Sequence, residues 1–157
     1  MPLIQLQTEI LAPIGRCFDL ARSLDLHQVS TAHTNEKAVA GKTEGLIGLN
    51  EFVTWEATHF GVRQQLTSRI TAFQYPVHFC DEMEKGIFKK IKHDHYFAEG
   101  NGLTQMRDAF EFESPLGVLG KWANALFLTK YLAKLLVHRN GIIKAYAESE
   151  KWKTVLI

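Results

Sequence analysis

The stretch PLGVLGKWANALFLTKYLAKLLVHRNGIIKAYAES, Pro115 to Ser149, decides the fold. It has no proline after its first residue and is rich in Leu, Ala and Lys, all good helix formers. Ser114 before Pro115 is the order expected of an N-cap followed by proline at the first helical position. One apolar face runs through Leu119, Trp122, Leu126, Ala133, Leu136 and Ile143, and a second through Leu128, Leu132, Leu135, Ile142 and Tyr146. Two stripes side by side make a wider apolar surface than a simple surface helix carries. At ~1.5 Å per residue a helix over the whole stretch spans ~45–50 Å, so a bend near Thr129 is expected. Such a helix needs a broad, concave cover.

The preceding sequence supplies one. Leu3 to Leu11 alternates as a half-buried strand, with Ile4, Leu6, Thr8 and Ile10 on one face. Ala12-Pro13 opens a short helix through Cys17, Phe18 and Ala21, and Leu24 to Val29 reads as a second. Thr34 to Ala40 is a weak strand. Asn50–Phe60 and Val62–Phe73 form a hairpin; a turn at Phe60-Gly61 sets Trp55 opposite Leu66 and His59 opposite Val62. Tyr75-Pro76 interrupts the chain. Val77, Phe79, Asp81 and Met83 then share a face, as do Ile91, His93, His95 and Phe97 in the next strand. Leu103 to Glu113 turns Thr104, Met106, Asp108, Phe110 and Phe112 inward. A four-residue loop at Glu99–Gly102 would set His93 opposite Asp108, His95 opposite Met106 and Phe97 opposite Thr104. The expected class is α+β: a curved antiparallel sheet of about seven strands around a long C-terminal helix, with two short helices after the first strand.

Composition narrows the function classes. The 157 residues suit a single domain over 1–157, and 46% hydrophobic residues suffice for a real core. A formal charge of +1 argues against general nucleic-acid binding. No apolar run is long enough for stable membrane insertion, and the N-terminus lacks the basic region of a signal peptide. Cys17 and Cys80 lack metal-type spacing and read as buried free thiols of a cytoplasmic protein. There is no nucleophile motif, phosphate loop or dinucleotide fingerprint, and no cofactor is expected.

The order of elements resembles the SRPBCC superfamily, the START-like or helix-grip proteins, over nearly the whole chain. The resemblance is carried by NEFVTWEATHFG (Asn50–Gly61), by PVHFCDEMEKGIFKKIKHDHYF (Pro76–Phe97), and by Asp108, SPLGVLG and HRN further on. A branch of bacterial proteins is similar at His59, Asp81, His93, His95, Asp108, Arg139 and Asn140 among others. The superfamily includes lipid and sterol carriers, the birch-pollen-allergen type and polyketide cyclases. The resemblance implies the helix-grip fold and a deep apolar cavity between sheet and helix.

The residues expected to line that cavity and bind a small hydrophobic ligand, such as a lipid, polyketide or aromatic metabolite, are Val53, Trp55, His59, Leu66, Phe79, Asp81, Met83, Ile91, His95, Phe97, Met106, Phe110, Trp122, Leu126 and Tyr131. His93 and Asp108 form the candidate catalytic pair, since a buried histidine beside a carboxylate can act as an acid or base. The same pair can simply satisfy polar groups in a core. An enzyme of the cyclase, dehydratase or hydrolase type is therefore the alternative to a carrier. His93 and His95 share a face and could hold a metal with Asp81 or Asp108. Ligands would have to converge across strands, so the expectation is no metal. Lys121, Lys130, Lys134, Arg139 and Lys144 read as a solvated helix face, or as a surface for anionic lipid in a protein that handles lipid at membranes.

Overall fold

In the computed structural model, residues 2–59, 61–114 and 127–157 are described. Period-two alternation becomes strands β1 (Leu3–Ile10), β2 (Lys37–Gly41), β3 (Phe52–His59), β4 (Val62–Gln74), β5 (His78–Lys85), β6 (Lys90–Gly100) and β7 (Leu103–Glu113). They form one antiparallel sheet in the order β1-β7-β6-β5-β4-β3-β2. Helices α1 (Ile14–Ala21) and α2 (Leu24–Ser30) follow β1, and α3 (Thr129–Ala147) follows β7. A single helical turn over Ala32–Thr34 takes the place of the start of the weak strand expected from Thr34. The expected helix start at Pro115, the apolar positions Leu119, Trp122 and Leu126, and Phe60 of the β3–β4 turn lie outside the described residues.

Each short helix has a local reason to form. Ser23 caps α2 by accepting a hydrogen bond from the Leu26 amide at 3.1 Å, which satisfies one of the free N–H groups of the first turn. α1 buries Cys17, Phe18 and Leu20 on one side. The two helices pack against α3, and α3 also lies against β1.

The β3–β4 ladder sets Trp55 opposite Leu66 and His59 opposite Val62, the register the alternation predicts. Val62 itself, at the hairpin end, is exposed. The β6–β7 ladder differs from expectation by two residues. Gly100 pairs with Leu103, so the loop is Asn101-Gly102 alone, and both residues have positive φ, 54° and 76°. That is the backbone a two-residue hairpin turn demands, and Asn-Gly is the pair best suited to it. His93 consequently stands opposite Phe110, His95 opposite Asp108, and Phe97 opposite Met106. A slip of two keeps every side chain on its face, so the inward set survives while the partners change.

The core has two parts. One gathers around Phe18, which is fully buried and meets Phe73, Tyr75 and Phe79 edge-on with ring centroids 5.4, 5.0 and 5.2 Å away. The other joins Ile91, Phe110 and Phe112 of the sheet to Leu136 of α3. Cys17 and Cys80 are buried free thiols.

Candidate functional site

Between the concave face of the sheet and α3 lies a cavity of about 600 Å³. Its wall includes Val53, Trp55, His59, Leu66, Phe79, Asp81, Ile91, His93, His95, Phe110 and Tyr131 of the expected residues. Met83, Phe97 and Met106 share the inward face but are spent on core packing and are not part of the wall. Trp122 and Leu126 lie outside the described residues. Asp108 is wholly buried behind His93.

The polar part of the wall is one connected network. Asp108 accepts a hydrogen bond from His93 Nε2 at 2.7 Å and another from Asn140 Nδ2 at 2.7 Å. Arg139 donates to Asn140 Oδ1 and to the Ala21 carbonyl, both at 3.0 Å, and its guanidinium stands 3.7 Å from Asp108. His95 Nε2 donates to Asp81 Oδ2 at 2.8 Å, and Ser68 donates to the other Asp81 oxygen at 3.3 Å. The His93 and His95 rings stack at 3.7 Å, and His95 stacks on Phe79 at 4.1 Å. Arg139, expected on a solvated face with the lysines, is only 8% exposed. It falls with Leu136, Asn140, Ile143 and Ala147 on the buried stripe of α3, so helical spacing was the signal that could have found it.

Burial alone would raise the Asp108 carboxyl. The hydrogen bond from His93 and the charges of His93 and Arg139 outweigh it and hold the group well below the usual carboxylate range. The same contest at Asp81, won by the His95 hydrogen bond and the charges of His93, His95 and Arg139, brings its pKa to about 2. Burial pushes His95 down to about 4, helped by His93 and Arg139 and opposed by Asp81. His95 is therefore neutral and Asp81 ionised near neutral pH. Asp81 can only accept, so the His95 proton is on Nε2 and Nδ1 carries a lone pair. His93 Nε2 likewise points its N–H at Asp108, which can only accept, and Nδ1 has no hydrogen-bond partner among the described residues.

A second polar group sits elsewhere on the wall. His59 Nδ1 is hydrogen-bonded to the Tyr131 hydroxyl at 2.6 Å, and burial pushes the His59 pKa down. His27 pairs with Glu36 and lies against the Trp55 ring, with centroids 4.3 Å apart. His27 and Glu36 were not anticipated, because they come from α2 and the loop after it, where no alternation marks a face. Burial raises both thiols, Cys80 to about 12, so neither is a ready nucleophile.

The sequence matches no protein-family model and no curated protein. Its structure is similar to several solved ones. A protein from Thermus thermophilus, TTHA0849, is 16% identical with a TM-score of 0.72, covering 93% of this chain and 99% of its own. A START superfamily protein from Mycobacterium smegmatis is 12% identical with a TM-score of 0.70, over 93% of this chain and 97% of that one. Ginseng major latex-like protein 151 from Panax ginseng is 17% identical with a TM-score of 0.67, over 94% and 98%. Seven antiparallel strands, two short helices between the first and second, and a C-terminal helix against the sheet make up the helix-grip fold, and it is the fold this chain shares with these solved structures.

Proposed function

We propose that this chain binds a small hydrophobic ligand in the cavity between the sheet and α3. The observation that carries the reading is a cavity of about 600 Å³, mostly apolar in its lining, with polar groups gathered at His59–Tyr131, at His27–Glu36 and in the Asp81–His95 network. Small-molecule sites have that size and that division of labour: apolar surface supplies affinity and a few fixed polar groups supply orientation. Arg139 is buried and is not part of an exposed basic face. The membrane-surface reading therefore has less behind it than the cavity.

Ala57 lies on the cavity wall in the middle of β3 and is 7% exposed. Ala57→Phe is expected to put a ring into the void with little change in thermal midpoint. A solvatochromic apolar dye should bind the native wild type near one per chain, and the variant at least ~10-fold more weakly, a loss of about 1.4 kcal/mol. Equal dye affinity in both proteins contradicts binding in this cavity.

One observation favours a second reading, an enzyme of the cyclase or hydrolase type. The His93 ring lines the cavity and is oriented by an ionised Asp108, and its Nδ1 has no hydrogen-bond partner among the described residues, so it is the ring atom that would exchange a proton with a bound molecule.

A further inference from the structure

Asp81 stands directly opposite His93 in the β5–β6 ladder. One donor atom from each of Asp81, His93 and His95 lies within 4.8 Å of the other two. The convergence across strands that a metal site needs, on which the expectation of no metal turned, is thus present. We propose that Asp81, His93 and His95 bind one divalent first-row transition-metal ion, of the zinc or ferrous kind, on the polar wall of the cavity. The site is independent of any hydrophobic ligand and does not rest on that reading.

The donor set comes first. Two imidazoles and one carboxylate suit these ions and leave coordination positions open. His93 and His95, two apart on β6, project from one face of the sheet, and Asp81 joins them from β5. At metal–ligand bonds of about 2.0–2.2 Å, donors at tetrahedral angles stand about 3.3–3.6 Å apart. Donors as far apart as 4.8 Å must therefore close by about 1 Å, while His95 Nε2 and Asp81 Oδ2, 2.8 Å apart, must part slightly, and the stacked His rings must rotate.

The surroundings come second. A metal-bound histidine usually donates its other N–H to a carboxylate, which fixes the tautomer. His93 already does so: Nε2 donates to Asp108, which leaves Nδ1 as the ring nitrogen that can reach a metal.

His95 Nδ1 is buried without a hydrogen-bond partner, and it faces Asp108 Oδ1 at 3.6 Å. A buried ring nitrogen left without a partner beside a carboxylate oxygen is a conflict that costs free energy. A cation between His95 Nε2 and Asp81 Oδ2, now 2.8 Å apart across a hydrogen bond, removes the conflict. The ring proton shifts from Nε2 to Nδ1, the ring stays neutral, and Nδ1–H points at Asp108. The charges also fit. Arg139 stands beside Asp108 and balances it, so the ion meets the charge of Asp81.

The test uses the full chain, stripped with a chelator and titrated with Zn²⁺ by calorimetry and with Co²⁺ by visible absorption. Saturation at one ion per chain is expected, with a cobalt spectrum of low coordination number. Asp81→Asn and His95→Gln should each weaken Zn²⁺ by at least the ~10–100-fold that loss of an outer partner costs. His78→Ala, which removes a histidine paired with Asp94, should leave it unchanged. Nitrogen NMR of wild-type His95 should show the proton move from Nε2 to Nδ1 on adding Zn²⁺. If His95→Gln fails to fold, Asp81→Asn and the NMR signal decide. No saturable binding overturns the proposal, as does binding indifferent to Asp81→Asn. A metal-free His95 protonated on both nitrogens also overturns it, because a proton then does what the ion was invoked to do. Dye binding by the metal-free protein, measured in parallel, keeps this result separate from the ligand-binding reading.

Discussion

Asp108→Ala should destabilise the protein by about 3–5 kcal/mol, the cost of breaking a buried charge cluster by removing one member. Asp108 is wholly buried and takes hydrogen bonds from His93 and Asn140 with Arg139 close by. Alanine leaves the His93 and Asn140 donors without their acceptor and the buried Arg139 guanidinium without its nearby counter-charge. Asp108→Asn keeps the shape and one acceptor oxygen, so its cost should be smaller, about 1–3 kcal/mol. Denaturant unfolding of the two variants checks the order. If the pair is structural, the Asn protein binds the apolar dye like wild type. If His93 is catalytic, the Asn protein folds and loses turnover. Equal stability of the Ala protein and wild type contradicts the buried network altogether.

Phe18→Ala should cost about 3–5 kcal/mol. The ring belongs to a short helix but has no exposure, and it is the hub on which Phe73, Tyr75, Phe79 and Phe97 converge. Edge-to-face aromatic contacts add to the area term, and rigid strands on the far side limit how far the site can collapse. Because Phe18 ties α1 to the sheet, the loss should appear as a lower denaturant midpoint with an unchanged slope. A loss below about 1 kcal/mol would mean that α1 does not plug this end of the sheet.

The sheet was legible because its strands bury one face, and period two then fixes which side chains face in. Trp55 opposite Leu66 follows from that rule together with a short turn. The β6–β7 pairing was misjudged because face and register are separate pieces of information. Alternation fixed the face of His93, His95 and Asp108, while the register depended on where the turn closes at Asn101-Gly102. His93 still reaches Asp108 because, on one face of a sheet, diagonal neighbours lie within reach of long side chains. Arg139 carries a charge that suggests a solvated face, but its helical spacing sets it on the buried stripe of Leu136 and Ile143. Nothing in the sequence marks the unpartnered Nδ1 of His95, which depends on the distances between three strands.

Native mass spectrometry of the purified protein reads directly whether the cavity holds a ligand. The expected spectrum is that of the chain carrying one small hydrophobic molecule, released by organic extraction and replaced when the extracted protein is incubated with fatty acids or flat aromatic compounds. Bare chain mass, both as purified and after that incubation, would contradict it.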